Sequence, residues 1–320
     1  MVVRAFIFPG QGSQFVGMAQ DLAAAFTSAR DVLAEVDDTL GQRLSKLMFE
    51  GPAEELTLTE NTQPALMAVS LAVLRVLEKD GNLALPQTAA LVAGHSLGEY
   101  SALAAAGGLS IAETAKLLRL RGSAMQRAVP AGEGAMAALL GTDLEQAQSI
   151  CAEAALDPET EQKQVVQPAN DNGGGQVVIS GHRGAVERAI EIAKARGIKR
   201  AMLLPVSAPF HCALMAPAAD AMAEALATAT LKAPAVPLVT NISAAKASDP
   251  AEIRELLVEQ VTGMVRWRES VLAMAEMGVT DFVELGAGKV LSGLVRRILP
   301  DATTTSLGTP TDIEAFLKSL

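Results

Sequence analysis

A serine attacks an acyl carbon only if the backbone holds it clear of its neighbours, and Gly94-His95-Ser96-Leu97-Gly98 is a pattern that does so. It stands between a short apolar run, Ala89 to Ala93, and an alanine-rich stretch reaching about Gly107. Strand, sharp turn and helix is the context G-x-S-x-G requires. Side chains flanking so tight a turn would collide, so both flanks are glycine. Ser96 is left at the tip with its Oγ exposed. The backbone N–H of Leu97, in the first turn of the helix, points into the same space, where negative charge is favoured. That N–H is half of an oxyanion hole. The chemistry implied is acyl transfer or hydrolysis through a serine ester; the bland alternative is a tight turn that happens to carry a serine.

Such a serine needs a general base, and the chain has three histidines. His95 adjoins Ser96, so its side chain should diverge from the nucleophile. His182 falls at a turn and reads as a surface residue. His211 follows a proline-broken turn, Ser207-Ala208-Pro209-Phe210, and follows Ser96 in chain order, as in α/β-hydrolase-like sites. It is the expected base. No Asp or Glu is placed by the sequence to orient it. A backbone carbonyl is therefore an alternative orienter, and a dyad an alternative to a triad. No His, Cys or acidic cluster has ligand spacing, so neither metal nor other cofactor is expected.

Around these residues the pattern is α/β. Met1 to Phe8 reads as a first strand, too short for a signal sequence. Gly10-Gln11-Gly12-Ser13-Gln14 fails the dinucleotide spacing and reads as a glycine-rich turn. Residues 19–80 read as helical, punctuated by Gly51-Pro52 and by Asn61 to Pro64, with a regular apolar stripe through 65–79. A helix follows at about 111–127. Composition shifts at Val129 to Gly134, and a piece with its own rhythm begins. Its strands are expected at 135–140, 164–169, 176–180 and 199–206, and its helices at 143–154 and 183–196. This βαββαβ order is ferredoxin-like. The large fold then resumes: helix 213–228, strand 236–241, helices 250–261 and 267–277, strand 281–285 and helix 290–298. Gly286-Ala287-Gly288-Lys289 fails the phosphate-loop pattern, because Val290 follows the lysine. The expected domains are a discontinuous large one, 1–129 with 206–320, and an inserted one, 130–205.

Composition narrows the function classes. At 320 residues with half of them apolar, the chain buries a large core, and with 3% aromatics it must use Ala, Val, Leu, Ile and Met. A net charge of −10 argues against nucleic acid as the main partner. No stretch has the length and apolarity of a membrane span. Cys151 and Cys212 form no motif and read as reduced buried thiols of a cytoplasmic protein.

The chain resembles the malonyl-CoA:acyl-carrier-protein transacylase family over essentially its whole length. The resemblance rests on Phe8-Pro9-Gly10-Gln11-Gly12-Ser13-Gln14, Gly94 to Glu99, Leu120-Arg121-Gly122, Gln176 to Gly181, Pro209-Phe210-His211 and Val265-Arg266-Trp267. It implies an α/β-hydrolase-like large domain with a ferredoxin-like insert, in agreement with the reading above. It implies Ser96 as nucleophile, His211 as base, and the N–H groups of Gln11 and Leu97 as oxyanion hole. It further implies that Arg121 pairs with the malonyl carboxylate and that Gln260 orients His211 through its main-chain carbonyl. By analogy with related polyketide acyltransferases, Phe210 would select malonyl over methylmalonyl. The partners implied are malonyl-CoA and acyl carrier protein. Two departures from the family pattern, Ala287 where proline is usual and Gly173-Gly174 where Ser-Pro is common, are expected to loosen the backbone locally.

Two rivals stand beside this reading: a serine thioesterase or esterase, and a non-catalytic carrier-binding module or synthase subunit. The intact Ser, His and Arg set argues against the second. Carrier proteins are acidic, and the richest local excess of positive charge lies in 183–200. Arg188, Lys194 and Arg196 are therefore the expected docking residues, with the segment Lys289 to Arg297 as the next candidate.

Overall fold

The computed structural model describes residues 3–158 and 160–320. Met1 and Val2 of the expected first strand, and Glu159 of the polar loop, lie outside the described residues. Among the described residues, ten strands form two sheets: β1 (Arg4–Phe8), β2 (Leu91–Gly94), β3 (Gly134–Leu140), β4 (Val166–Asp171), β5 (Gln176–His182), β6 (Arg200–Leu203), β7 (Leu238–Val239), β8 (Lys246–Ala247), β9 (Asp281–Leu285) and β10 (Thr303–Leu307).

The larger sheet runs β10-β9-β1-β2-β7-β8, and every pairing is parallel except β7 with β8. β1 shows why its centre reads as unbroken apolar sequence. Ala5 and Ile7 face one side, where they join Trp267, Val271 and Leu294. Phe6 and Phe8 face the other, where they join Leu66, Val69 and Tyr100. A parallel strand covered by helices on both faces has no polar side to show.

The smaller sheet is wholly antiparallel in the order β4-β5-β3-β6. Helices Leu144–Ala154 and Arg183–Ala195 cover one face, packing on Ala135, Ala137 and Leu139 of β3. The alternate residue Met136 points the other way, toward the large domain's core. The ferredoxin-like expectation matches this element order.

Several boundaries differ from expectation. Pro64 lies inside helix Thr59–Lys79 rather than before it. It falls near the N-terminal end, where its missing N–H leaves only the Glu60 carbonyl without a helical donor. β4 includes Asn170 and Asp171, which had read as loop, because a bulge between Pro168 and Asn170 lets the strand continue. β6 and β7 are shorter than 199–206 and 236–241. No expectation covered β10 or helix Pro310–Ser319. β10 is Thr-Thr-Thr-Ser-Leu, a half-exposed edge strand with little apolar signal.

Candidate functional site

The nucleophile turn is shaped by missing side chains. A Cβ on Gly94 would lie 1.9 Å from the Gly98 carbonyl, and one on Gly98 would lie 2.2 Å from the Phe8 carbonyl. The chain therefore doubles back at the C-terminal end of β2 only because both residues are glycine. Ser96 takes φ 55° and ψ −113°. Such a conformation costs of order 1–3 kcal/mol and persists only where the surroundings enforce it. Here two amides do so: the Ser96 N–H donates to Asn241 Oδ1 at 2.7 Å, and Gln260 Nε2 donates to the Ser96 carbonyl at 3.0 Å.

His211, also at positive φ, places Nε2 2.7 Å from Ser96 Oγ and Nδ1 2.9 Å from the Gln260 carbonyl. A proton on Nδ1 donates to that carbonyl and leaves Nε2 to accept from the serine. The orienter is thus a main-chain carbonyl. Burial pushes the imidazole pKa down to about 3; the Arg121 charge adds to this and the Gln260 carbonyl opposes it. The ring is neutral at physiological pH, which leaves Nε2 free to accept from the serine.

Arg121 comes to the site on helix Ile111–Ala128. That helix crosses the start of helix Thr59–Lys79 closely, for a Cβ on Gly122 would meet Thr59 O and Glu60 Cα at 2.6 Å. The guanidinium is buried. Nη1 donates to Gln63 Oε1 at 2.8 Å, while Nη2 donates to Gln260 Oε1 at 2.9 Å and lies 3.3 Å from Ser96 Oγ. Its charge also stands 5.7 Å from the Tyr100 ring centroid. Glu99 acts on it only at longer range, and no described carboxylate lies within ion-pair distance of it. A buried cation held by neutral amides is short of an anion.

These groups share a cavity of about 350 Å³, within the range of small-ligand sites. Gly10, Gln11, Ser96 and Leu97 line it at the C-terminal ends of β1 and β2, where open α/β sheets place ligands. The Gln11 side chain is held aside, its Oε1 accepting from Thr59 Oγ1 at 2.8 Å. Phe210 lines the same cavity, and Met136 and Val178 of the small sheet face it from the other domain. Exposed Val290 and Arg297 mark its open side.

His95 is not paired with the nucleophile. Its Nε2 meets Asn172 Oδ1 at 2.8 Å, which ties the elbow to the loop after β4, and burial lowers its pKa. His182 is half-buried and accepts from the Val165 N–H at 2.9 Å, so it is not a free surface histidine.

The expected docking residues differ in how far they are engaged within the insert. None of the three lines the cavity. Arg188 is engaged inside the insert, donating to the Ala154 carbonyl at 3.1 Å, Asp157 at 3.3 Å and Gln164 at 2.8 Å. Lys194 pairs with Glu191 at 2.8 Å, and Arg196 pairs with Glu153. The charge count along the helix included Glu191 but not Asp157 and Glu153, which neighbouring segments contribute. The two family departures also sit in tied backbone. Glu284 accepts from the N–H groups of Leu291 and Ser292 at 3.0 and 2.8 Å, which pins the turn that carries Ala287. Gly173 and Gly174 both have positive φ, and a Cβ on them would strike Ile298 and Arg297 at 2.5 and 2.8 Å.

Sequence reasoning missed Gln63, Asn241 and Asn172. Gln63 carried a weak signal, a polar residue beginning an otherwise apolar helical stripe. Asn241 follows a two-residue strand and Asn172 sits in a loop, and neither has a periodic signature.

A strained serine at a strand-to-helix turn, with a carbonyl-held histidine beside it, defines a site built for acyl chemistry. The chain belongs to the acyl transferase family: residues 5–309 match the model described as Acyl transferase domain. More particularly, it is 48% identical over 318 residues to the malonyl CoA-acyl carrier protein transacylase of Escherichia coli strain K12, covering 99% of this chain and 100% of that protein. The corresponding protein of Bacillus subtilis strain 168 is 47% identical, with 99% and 96% covered. Among solved structures, the acyl-carrier-protein-S-malonyltransferase of Bartonella henselae superposes with a TM-score of 0.95 at 55% identity, 99% of each chain being covered. A malonyl-transacylase in complex with its type II PKS acyl-carrier protein gives a TM-score of 0.94 at 43% identity, with 99% and 100% covered.

Proposed function

We propose that this chain transfers the malonyl group of malonyl-CoA to the phosphopantetheine thiol of an acyl carrier protein, supplying fatty acid synthesis. The observation that carries the reading is Arg121, a buried guanidinium held by amides with Nη2 3.3 Å from the nucleophile. An acyl group whose far end is a carboxylate supplies the anion this cation lacks, through two parallel hydrogen bonds. The names of the relatives support the same substrate and acceptor.

In this scheme Ser96 Oγ attacks the thioester carbon while its proton passes to His211 Nε2. The oxyanion is held by the N–H groups of Gln11 and Leu97, each such donor being worth about 3–4 kcal/mol. The C–S bond breaks, and His211 returns the proton to the CoA sulfur. The carrier thiol then attacks the malonyl-serine ester, giving its proton to His211, which passes it to Ser96 Oγ as the ester breaks. The chemistry calls for no metal or other cofactor. Phe210, which lines the cavity, would limit substitution at the acyl α-carbon.

Carrier docking falls to cations around the open side. Exposed Lys289, Arg296 and Arg297 lie on the segment that borders it, and Lys194 and Arg196 of the insert remain candidates away from the cavity. We place the protein in the cytoplasm, a reading supported by its two free buried cysteines; none of the described helices is long and apolar enough to cross a membrane.

The test is release of CoA from malonyl-CoA with and without carrier protein. Turnover should require the carrier, and malonyl should appear on its thiol. Rapid turnover indifferent to carrier would make the chain a thioesterase instead.

A further inference from the structure

Buried carboxylates are uncommon unless their surroundings use them. Glu99, one turn beyond the nucleophile, is 1% exposed and takes no part in the scheme above. Its Oε2 accepts from Gln260 Nε2 at 2.7 Å and from the Asn241 N–H at 3.0 Å, while its Oε1 has no hydrogen-bond partner. The two residues it gathers are those that grip Ser96. Asn241 Oδ1 takes the Ser96 N–H, and Asn241 Nδ2 donates to the Gly94 carbonyl at 2.7 Å. Gln260 Nε2 reaches the Ser96 carbonyl, its Oε1 holds Arg121, and its main-chain carbonyl holds His211.

We propose that Glu99 is the positioning residue of this site, a single acceptor oxygen that fixes Asn241 and Gln260 and through them sets nucleophile, base and arginine in register. The proposal rests on the acyl-transfer reading above but adds a residue that reading does not need. The geometry explains why an acceptor is required there. Gln260 Nε2 serves three acceptors at once, Glu99, the Ser96 carbonyl and Asn241 Oδ1, the last at 3.2 Å. Glu99 makes the shortest of these contacts, at 2.7 Å, and without it the amide is held only by the longer bonds to the Ser96 carbonyl and Asn241 and by Arg121. A flipped Gln260 would set an N–H₂ against the guanidinium. Burial raises the Glu99 pKa to about 7, with the two donors and Arg121 pulling against it. Its acceptor oxygen, more than its full charge, is thus the constant feature.

The test compares Glu99→Ala with Glu99→Gln, which keeps one acceptor oxygen and can turn its N–H₂ toward the unpartnered Oε1 position. Two readouts are used: the single-turnover rate of acyl-enzyme formation from malonyl-CoA and from acetyl-CoA, and the rate at which a fluorophosphonate labels Ser96. Glu99→Ala should slow labelling about 10-fold, and acylation by malonyl about 100-fold, more than acylation by acetyl because Arg121 is released too. Glu99→Gln should recover most of both. A purely structural role would lower the melting temperature while leaving these rates and the malonyl-to-acetyl ratio unchanged, and that result overturns the proposal. So does a Glu99→Gln variant that folds yet is as slow as Glu99→Ala. If Glu99→Ala does not fold, Glu99→Gln decides alone: acylation within about threefold of wild type and an unchanged malonyl-to-acetyl ratio support the acceptor role, and a larger loss refutes it. Should the wild type take no malonyl while labelling still slows in Glu99→Ala, the substrate reading fails and the positioning role stands.

Discussion

The two sides of the cavity are built by opposite means. On the elbow side, backbone does the work: Gly10, Gly94 and Gly98 let three chain segments approach within distances no Cβ allows. The turn itself spans five residues between a strand and a helix, packed against the end of β1 and gripped by Asn241 and Gln260. On the Arg121 side, side chains do the work, and they come from Gln63, Glu99, Asn241 and Gln260, spread over most of the chain. In the proposed function the elbow and His211 supply the nucleophile whatever acyl group arrives. In the same reading Arg121 and the amides that hold it select the acyl group. The turn that exposes the serine is local in sequence, whereas its base and the arginine's partners come from distant segments.

That contrast is broken most severely at the elbow. Gly94→Ala drives a Cβ into the Gly98 carbonyl at 1.9 Å, where backbone must move. We expect a loss of at least about 3 kcal/mol in urea unfolding, at the upper end of overpacking costs, with no acyl-enzyme from any thioester. A variant that keeps its acylation rate would show that the turn has slack.

On the other side the effect should be selective. Arg121→Ala is expected to lower malonyl acylation by roughly 100-fold more than acetyl acylation, in line with a charge-assisted hydrogen bond of about 1.5–3 kcal/mol. Single-turnover rates with the two thioesters measure it, and equal losses would take Arg121 out of substrate recognition.

Legibility in the sequence follows the same division. Ser96 and the two flanking glycines could be read because their constraint lies within five residues. His211 was chosen by chain order and elimination among three histidines. The unbroken run Ala5-Phe6-Ile7-Phe8, buried on both faces of the sheet, reads as a strand from its apolar residues and the turn that ends it. Arg121 and Gln260, whose partners are distant, entered only through the family resemblance, and other residues of that kind escaped. Arg188 looked like a surface cation because Asp157 and Gln164 reach it only after folding. Asn241 carries no signal at all, since its importance lies in bonds to Gly94 and Ser96. β10 escaped because an edge strand of threonines needs no apolar face.

A smaller effect tests the apolar part of the selective side. Phe210→Ala should raise acylation by methylmalonyl-CoA relative to malonyl-CoA by about 10-fold, the scale on which pockets discriminate one methyl group. If wild type already accepts methylmalonyl as readily as malonyl, Phe210 is core packing only.

The smallest expected change is with pH. An unperturbed imidazole near 6.5 would lose about fourfold of its neutral form between pH 7.5 and 6. His211, pushed down to about 3 by burial and by Arg121, should keep its neutral form, so acylation rates at the two pH values should agree. The sign for stability follows. The unfolded chain takes up the His211 proton first, so the folded state loses this contribution as pH falls from about 6.5 toward 3. Glu99, raised to about 7, acts in the opposite sense, its contribution fading as pH rises from about 4.5 through 7. A fourfold fall in rate at pH 6 would show that His211 is more solvated than the 2.7 and 2.9 Å contacts imply.

The central claim is that one serine carries a malonyl group in a cavity that asks for its carboxylate. Intact mass spectrometry after mixing with malonyl-CoA tests this most directly, with Ser96→Ala and His211→Ala measured alongside. The account predicts a mass gain of one malonyl group on the wild type, mapped to Ser96, none on Ser96→Ala, and formation slowed by about 10²–10⁴-fold in His211→Ala. A wild-type protein that stays unmodified, or one that carries the malonyl group on a residue other than Ser96, would contradict it.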